Sequence, residues 1–314
     1  MNKTIKKITV IAAIILLAGC TGGEGTQTGG ILLKNELSND RMQPGGSVLL
    51  RTSVNNFFDN QLNNAWVKLT RSFGQLSVGE NKLPLGDVQA NPNATARTQW
   101  TLNVRQSASS GTVFTNKVRL CFTYEQLGWH EVALVKSFQQ ESTINTGAET
   151  GPLKISFAGL DSPYVKNDVV DSQIPISISI KNKYDGYVGT IDMSKDEIAN
   201  LTYVEMRIYD SPGDNASPQH FDVLDAFTNP SCSGGQTSGC LECDNSLWDE
   251  ELGYIKCQAS DLSVFGDETF IGTKLGIKEL ETEELIQIVE VLVQYDYCIE
   301  SEDFSLTVFT PGGG

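Results

Sequence analysis

Histidine is almost absent. His130 and His220 are the only two, and neither belongs to a His-Glu-x-x-His pattern, so a zinc-protease helix is excluded. The chain has no Gly-x-Ser-x-Gly elbow and no Gly-rich loop closing on Gly-Lys-Ser/Thr, which removes nucleophile-elbow hydrolases and P-loop nucleotide binders. Apolar runs of bilayer length are also missing: the stretch from Ile8 to Ala18 is about a dozen residues, against the roughly 20 that a spanning helix needs. Cations are scarce as well. With 23 Lys and Arg against 39 Asp and Glu the chain carries −16, which disfavours electrostatic binding to nucleic acid or to an anionic membrane surface. Carboxylate pairs are too numerous for spacing to single out an acid/base couple. These absences point away from an enzyme and from any cofactor.

What is present begins at the N-terminus. Lys3, Lys6 and Lys7 precede the short apolar run, and small residues then lead into Cys20, the layout of an export signal. Leu17-Ala18-Gly19-Cys20 resembles the lipobox of prokaryotic (bacterial or archaeal) lipoproteins at every position. The resemblance implies removal of residues 1–19, a diacylglyceryl thioether on Cys20 with palmitate-like chains, and residence on the extracytoplasmic face of the cell membrane. Residues 20–30 lack a core-forming side chain and are expected to act as a flexible tether reaching only about 15–20 Å.

Removal of three lysines leaves 20 bases against 39 acids, a charge of −19. Residues 31–146 hold 11 bases and 8 acids, whereas residues 147–314 hold 9 bases and 30 acids. Apart from Cys20, six cysteines remain: Cys121, Cys232, Cys240, Cys243, Cys257 and Cys298. An exported chain meets conditions in which disulfides persist.

From Ile31 onward the pattern is short apolar alternation broken by turn clusters, the mark of β-sandwich strands. Val48, Leu50, Thr52 and Val54 share one face, as do Val118, Leu120, Phe122 and Tyr124. The polar interval 141–151 is expected to separate two domains, 31–146 and 147–314, the second carrying an insertion at 211–267. Only two short helices are anticipated, one at the capping box Ser194-Lys195-Asp196-Glu197 and one over Glu279 to Leu285.

Three blocks recur in order. Val54-Asn55-Asn56-Phe57-Phe58-Asp59-Asn60, Trp66-Val67-Lys68-Leu69 and Val118 to Tyr124 are answered by Ile180-Lys181-Asn182-Lys183-Tyr184-Asp185-Gly186, Tyr203-Val204-Glu205-Met206 and Val291 to Tyr297. The set reads as a tandem repeat. Gln43-Pro44-Gly45-Gly46-Ser47-Val48-Leu49-Leu50, the strand end Val54-Asn55-Asn56 and Ala65-Trp66-Val67-Lys68-Leu69 resemble the immunoglobulin-like CARDB (cell adhesion related) modules of prokaryotic surface proteins. In the second half Asp171-Ser172-Gln173 replaces the Pro-Gly. The resemblance implies an all-β chain of two tandem immunoglobulin-like β-sandwiches.

Cys232, Cys240, Cys243 and Cys257 read better as disulfide partners than as a zinc ribbon, since the outer spacings do not form two matching knuckles. Their connectivity is open, and spacing does not decide whether Cys121 is a buried free thiol or pairs with a distant cysteine such as Cys298. No metal site is expected; acid clusters at Asp249-Glu250-Glu251, Glu279 to Glu284 and Glu300-Ser301-Glu302-Asp303 match no EF-hand loop. Asn93, Asn200 and Asn215 head glycosylation sequons. The expected role is non-catalytic binding, adhesion or scaffolding at the cell surface, with a surface protein or polysaccharide as partner. The first loops to consider are those near Phe57-Phe58 and over 211–257. The alternatives are a structural component of an envelope assembly and the accessory domain of an extracellular enzyme.

Overall fold

The computed structural model describes residues 26–70, 74–135, 143–158, 164–165, 173–188, 200–210, 221–227, 242–249, 254–263, 268–277 and 284–310. The signal, Cys20 and most of the tether therefore lie outside the described residues. Strands of the first half are β1 (Thr26–Thr28), β2 (Ile31–Leu37), β3 (Arg41–Met42), β4 (Ser47–Asn56), β5 (Leu62–Thr70), β6 (Leu76–Val78), β7 (Lys82–Val88), β8 (Thr95–Val104) and β9 (Val113–Val135). They are followed by β10 (Thr146–Ala148), β11 (Leu153–Ala158), β12 (Tyr164–Val165), β13 (Gln173–Asn182), β14 (Tyr187–Val188) and β15 (Asn200–Asp210). The last six are β16 (Phe221–Phe227), β17 (Glu242–Asp249), β18 (Tyr254–Ser263), β19 (Glu268–Ile277), β20 (Glu284–Glu300) and β21 (Phe304–Val308). The protein is all-β, with no helix among the described residues. Residues 194–197, expected to open a helix, lie outside them. Of the second expected helix, Glu284 and Leu285 instead begin β20, because Leu285 is in phase with buried Val289, Val291 and Val293, a two-residue period that only a strand can place on one face.

Three sheets form. A five-stranded sheet has the order β1-β2-β4-β8-β6, a four-stranded sheet the order β11-β13-β19-β16, and a 12-stranded sheet runs β17-β18-β15-β20-β9-β21-β3, with β5, β7, β10, β12 and β14 attached at its sides. The two smaller sheets pack their apolar faces against different parts of the large one. Gly128 on β9 lets the second small sheet come close: a Cβ there would stand 2.6 Å from Ile155 Cγ2 on β11, so a side chain at this position would push the layer away.

β9 is long because its alternation never breaks. Its even positions from Phe114 to Leu134 are buried throughout, first beneath one small sheet and then beneath the other. All 17 residues of β20 lie antiparallel along it, from Glu284 opposite Val135 to Glu300 opposite Arg119.

The repeat seen in the sequence is carried by this pairing. β5 lies on β9 with Val67 opposite Leu120, and β15 lies on β20 with Val204 opposite Val293, the correspondence given by the recurring blocks. β2-β4-β8-β6 is matched by β11-β13-β19-β16. Asn56 Oδ1 accepts from the Phe58 amide while its Nδ2 donates to the Asn60 carbonyl; Asn182 Oδ1 accepts from the Tyr184 amide and its Nδ2 donates to the Gly186 carbonyl. Phe57 N donates to Gly30 O as Lys183 N does to Pro152 O. Thr123 and Asp296 are equivalent positions in the two blocks, and they stand opposite one another. A local two-fold axis therefore passes between them. Phe58 and Tyr184, also equivalent, stack on each other at 6.3 Å.

Each half completes the other. β9 supports β5 in the first half, then continues past Tyr124 beside β20, with β12 parallel on its far side at Tyr164 opposite Leu134. β20 supports β15, ends beside β9, and is continued by β21, where Phe304 faces Asn116 and β3 lies parallel with Arg41 opposite Thr307. The interval 141–151, expected to separate two domains, contains β10, whose Gly147 is opposite Trp129 of β9. The halves are thus continuous through one sheet rather than joined end to end. Within the expected insertion, β16 pairs β19 as β6 pairs β8, and β18 pairs β15 as β7 pairs β5; β17 has no counterpart among the described residues of the first half.

The seam carries two rows of contacts. On one face Phe122, Tyr124, Tyr295 and Tyr297 are all buried, with ring centroids 5.9 to 6.3 Å apart. Tyr124 OH accepts from Asn60 N and donates to Thr150 O, and Tyr297 OH donates to Asn182 Oδ1. On the other face Arg119 pairs with Glu300, Cys121 is bonded to Cys298, and Thr123 Oγ1 donates to Asp296 Oδ1 at 2.7 Å.

Gln126, 1% exposed, ties three segments together. Its Nε2 donates to the Glu149 and Leu153 carbonyls, and its Oε1 accepts from Tyr295 OH and Leu153 N. Gln126→Ala strands these groups without water. A loss of about 3 kcal/mol is expected from the urea midpoint, since each buried unsatisfied group costs ~1–3 kcal/mol; an unchanged midpoint would show that the latch carries no stability.

Candidate functional site

Among the described residues, His130, Glu149, Glu300, Tyr124 and Tyr295 are held in packing, hydrogen bonds or ion pairs. His130 is 4% exposed, stacked on Phe157 at 5.6 Å; His220 lies outside the described residues. Of the acid clusters, that at 300–303 is partly paired: Glu300 Oε1 receives Arg119 Nη2 at 2.5 Å, and Lys117 Nζ lies 3.8 Å from both Glu300 and Asp303. The other two clusters lie mostly outside the described residues. Glu149 Oε2 is taken by Asn60 Nδ2 and Leu127 N. Burial drives the Tyr124 and Tyr295 hydroxyls well above the usual phenol range, so both remain neutral donors. No group of three His, Cys, Asp or Glu side chains that could hold a metal ion occurs among the described residues.

Among the described residues, a groove of about 630 Å³ lies on the solvent face of the five-stranded sheet. It arises from strand alternation: Val48, Leu50 and Val54 of β4 point inward, which turns Arg51, Ser53 and Asn55 outward. Lys34 and Glu36 on β2 and Arg97 and Gln99 on β8 do the same. Register orders these positions into rows, Glu36–Arg51–Gln99 and Lys34–Ser53–Arg97. With neighbouring strands about 4.8 Å apart and diagonal positions ~7–8 Å apart, the positions bearing the cations lie roughly 7–10 Å from one another. Lys34 Nζ and Glu36 Oε1 are 2.6 Å apart, and that contact, aided by Arg51 and Arg97, holds the Glu36 carboxyl below the usual carboxylate range. Three cations against one anion give the groove a charge of +2 within a chain of −16. Asn55 Nδ2 donates to Pro92 O, Ala94 O and Thr95 Oγ1, fixing the turn at one end of the groove.

No protein-family model matches this chain. No curated protein matches it either. Among solved structures, the collagen adhesin of S. aureus is similar at 10% identity over 88% of this chain and 91% of that one, with a TM-score of 0.17. The collagen-binding domain of an Erysipelothrix rhusiopathiae surface protein is similar at 7% identity over 90% and 97%, also with a TM-score of 0.17. Such a score is far below that of two chains sharing a fold, and neither likeness bears on what this chain binds.

The sites anticipated from sequence fall as follows. Cys121 and Cys298, left open by spacing, are bonded to each other across β9 and β20. Cys243 and Cys257 stand opposite one another in β17 and β18, whereas Cys20, Cys232, Cys240 and Asn215 lie outside the described residues. Asn93 is exposed in the turn before β8, and Asn200 is the first residue of β15. Of the loop aromatics, Phe57 is 45% exposed but Phe58 is 3% exposed and packs against Tyr124 and Tyr184. The groove itself was not anticipated. Its signal was present as outward cations on alternate positions, but the fact that β2, β4 and β8 are neighbours is not readable from alternation.

Proposed function

We propose that this protein is a lipid-anchored, non-catalytic binding protein of the prokaryotic cell surface, built from two immunoglobulin-like sandwiches, and that it holds an acidic polysaccharide on the outer face of β2, β4 and β8. The observation that carries this reading is the groove: Lys34, Arg51 and Arg97 form a cationic surface on rigid strands of a strongly acidic chain. Ser53, Asn55 and Gln99 add hydroxyl and amide groups suited to sugar hydroxyls. A sheet face this open and polar grips an extended polymer better than a small molecule, which prefers an enclosed apolar pocket. The lipid on Cys20 and the disulfides of the second half complete the reading as an exported, membrane-held protein. On this reading Cys20→Ala leaves the protein in the soluble fraction.

The test is titration calorimetry of residues 20–314 with polygalacturonate, with neutral dextran and polyglutamate as controls. Binding to polygalacturonate that weakens with salt, as Debye screening requires, is the expected result, and Arg51→Ala with Arg97→Ala should lower affinity at least ten-fold. Glu36→Gln removes the one anion lining the groove and should tighten polygalacturonate binding at neutral pH, where the ligand stays fully charged; unchanged affinity would show that the groove charge does not govern binding. Binding to polyglutamate alone, or an Arg51/Arg97 variant that binds as the parent does, would overturn the assignment.

A further inference from the structure

β17 and β18 form the outer edge of the large sheet, in the order β17-β18-β15. Their register is irregular. Glu242 stands opposite Gln258 and Cys243 opposite Cys257, but the next pairs are Trp248 with Ile255 and Asp249 with Tyr254. The four residues Asp244 to Leu247 therefore face the single Lys256. A bulge of this size interrupts the ladder and weakens the register of an edge strand, the element most exposed to slippage and to pairing with another chain. The first regular pair beside the interruption is the one made of two cysteines.

We infer that Cys243 and Cys257 form a disulfide that pins β17 to the sheet. Directly opposed residues of an antiparallel pair have Cα atoms about 4.5–5.5 Å apart, inside the ~4.4–6.8 Å range of disulfides. The same sheet holds a bond at directly opposed positions already, Cys121 to Cys298, with Cα atoms 4.1 Å apart. Cys257 also stands opposite Met206 of β15, so the bond ties β17 to a strand that is itself paired to β15. Of the three pairings open to Cys232, Cys240, Cys243 and Cys257, this choice leaves Cys232 with Cys240. It also divides the Cys240-Leu241-Glu242-Cys243 knuckle between two bonds, which removes it as a zinc-binding unit.

The reaction is ordinary exchange with a disulfide oxidant. One thiolate attacks the oxidant and releases its first thiol, the second thiolate resolves the mixed disulfide, and the oxidant leaves as two thiols having taken two electrons. The test uses residues 20–314 refolded with oxidised glutathione, alkylated without reduction, digested and mapped by mass spectrometry. A linked peptide pair containing Cys243 and Cys257 is expected, and Cys257→Ser should expose one new alkylatable thiol, at Cys243. Bonds from Cys243 to Cys232 or Cys240, alkylation of both Cys243 and Cys257 in the parent protein, or stoichiometric zinc on reduced thiols would each overturn the inference. A thiol appearing at Cys232 or Cys240 in the Cys257→Ser variant would do the same.

Discussion

Residues 20–142 and 143–314, produced as separate polypeptides, are each expected to be unfolded, and to recover a folded state only when mixed. The chain suggests the opposite by its length, since either piece is large enough for a domain. The reason lies in the seam. Without the second piece, β9 loses β20 along Arg119 to Val135 and β21 along Val113 to Asn116, and the buried rings of Phe122 and Tyr124 lose those of Tyr295 and Tyr297. Without the first piece, β20 loses the same partner along all 17 of its residues, and the rings of Tyr295 and Tyr297 lose those of Tyr124 and Phe122. Exposing a large buried side chain costs roughly 1.5–3 kcal/mol, so a few of them, added to the lost strand pairing, rival the ~5–15 kcal/mol by which a whole domain is stable. Circular dichroism and limited proteolysis of each piece would decide the matter; a cooperative unfolding transition in either one alone would refute the reciprocal arrangement.

Removing the seam disulfide should have the largest effect of any paired substitution. Cys121 and Cys298 are separated by 177 residues, and a cross-link closing a loop of that length restricts the unfolded chain by roughly 5 kcal/mol in the chain-entropy account. Both side chains are buried, at 3% and 1% exposure, so Cys121→Ala with Cys298→Ala also leaves a small void. A fall in unfolding free energy of about 4–5 kcal/mol is expected from urea titration, with the native near-ultraviolet spectrum retained at low denaturant. A fall below about 1 kcal/mol would mean that the unfolded chain keeps the seam strands together without the bond. Reduction of the parent protein should be slow under native conditions and quick once unfolding begins, because thiol exchange requires access.

Much of this architecture is legible in the residues. The alternation at 48–54 and 118–124 gives the inward face of β4 and β9 correctly, because sheet burial has a period of two. The repeated Asn56 and Asn182 predict two loops of one design, and the same hydrogen bonds recur in both. Alternation reports which face of a strand is buried, however, and says nothing of its neighbour. Nothing in Val132 to Val135 reveals that it serves the second half, nor does Phe304 to Val308 reveal that it closes the first. Cys121 is ambiguous for the same reason: its partner lies across a seam visible only once β9 and β20 are paired. The groove cations Lys34, Arg51 and Arg97 are plain in the sequence as charges, but 63 residues separate the outer two, and only the β2-β4-β8 order makes them one surface.

The crossed completion of the two halves also sets a timetable. β9 leaves the ribosome well before β21, and at about 5–20 residues per second the intervening stretch takes on the order of 10–30 seconds to make. Throughout that interval the first half has its apolar strands but not the strand that closes them. Folding is thereby deferred to the end of synthesis, and the nascent chain stays extended for as long as it is being made. The proposed export of this protein would gain from that delay, since the topology keeps the first half open until β21 has been made.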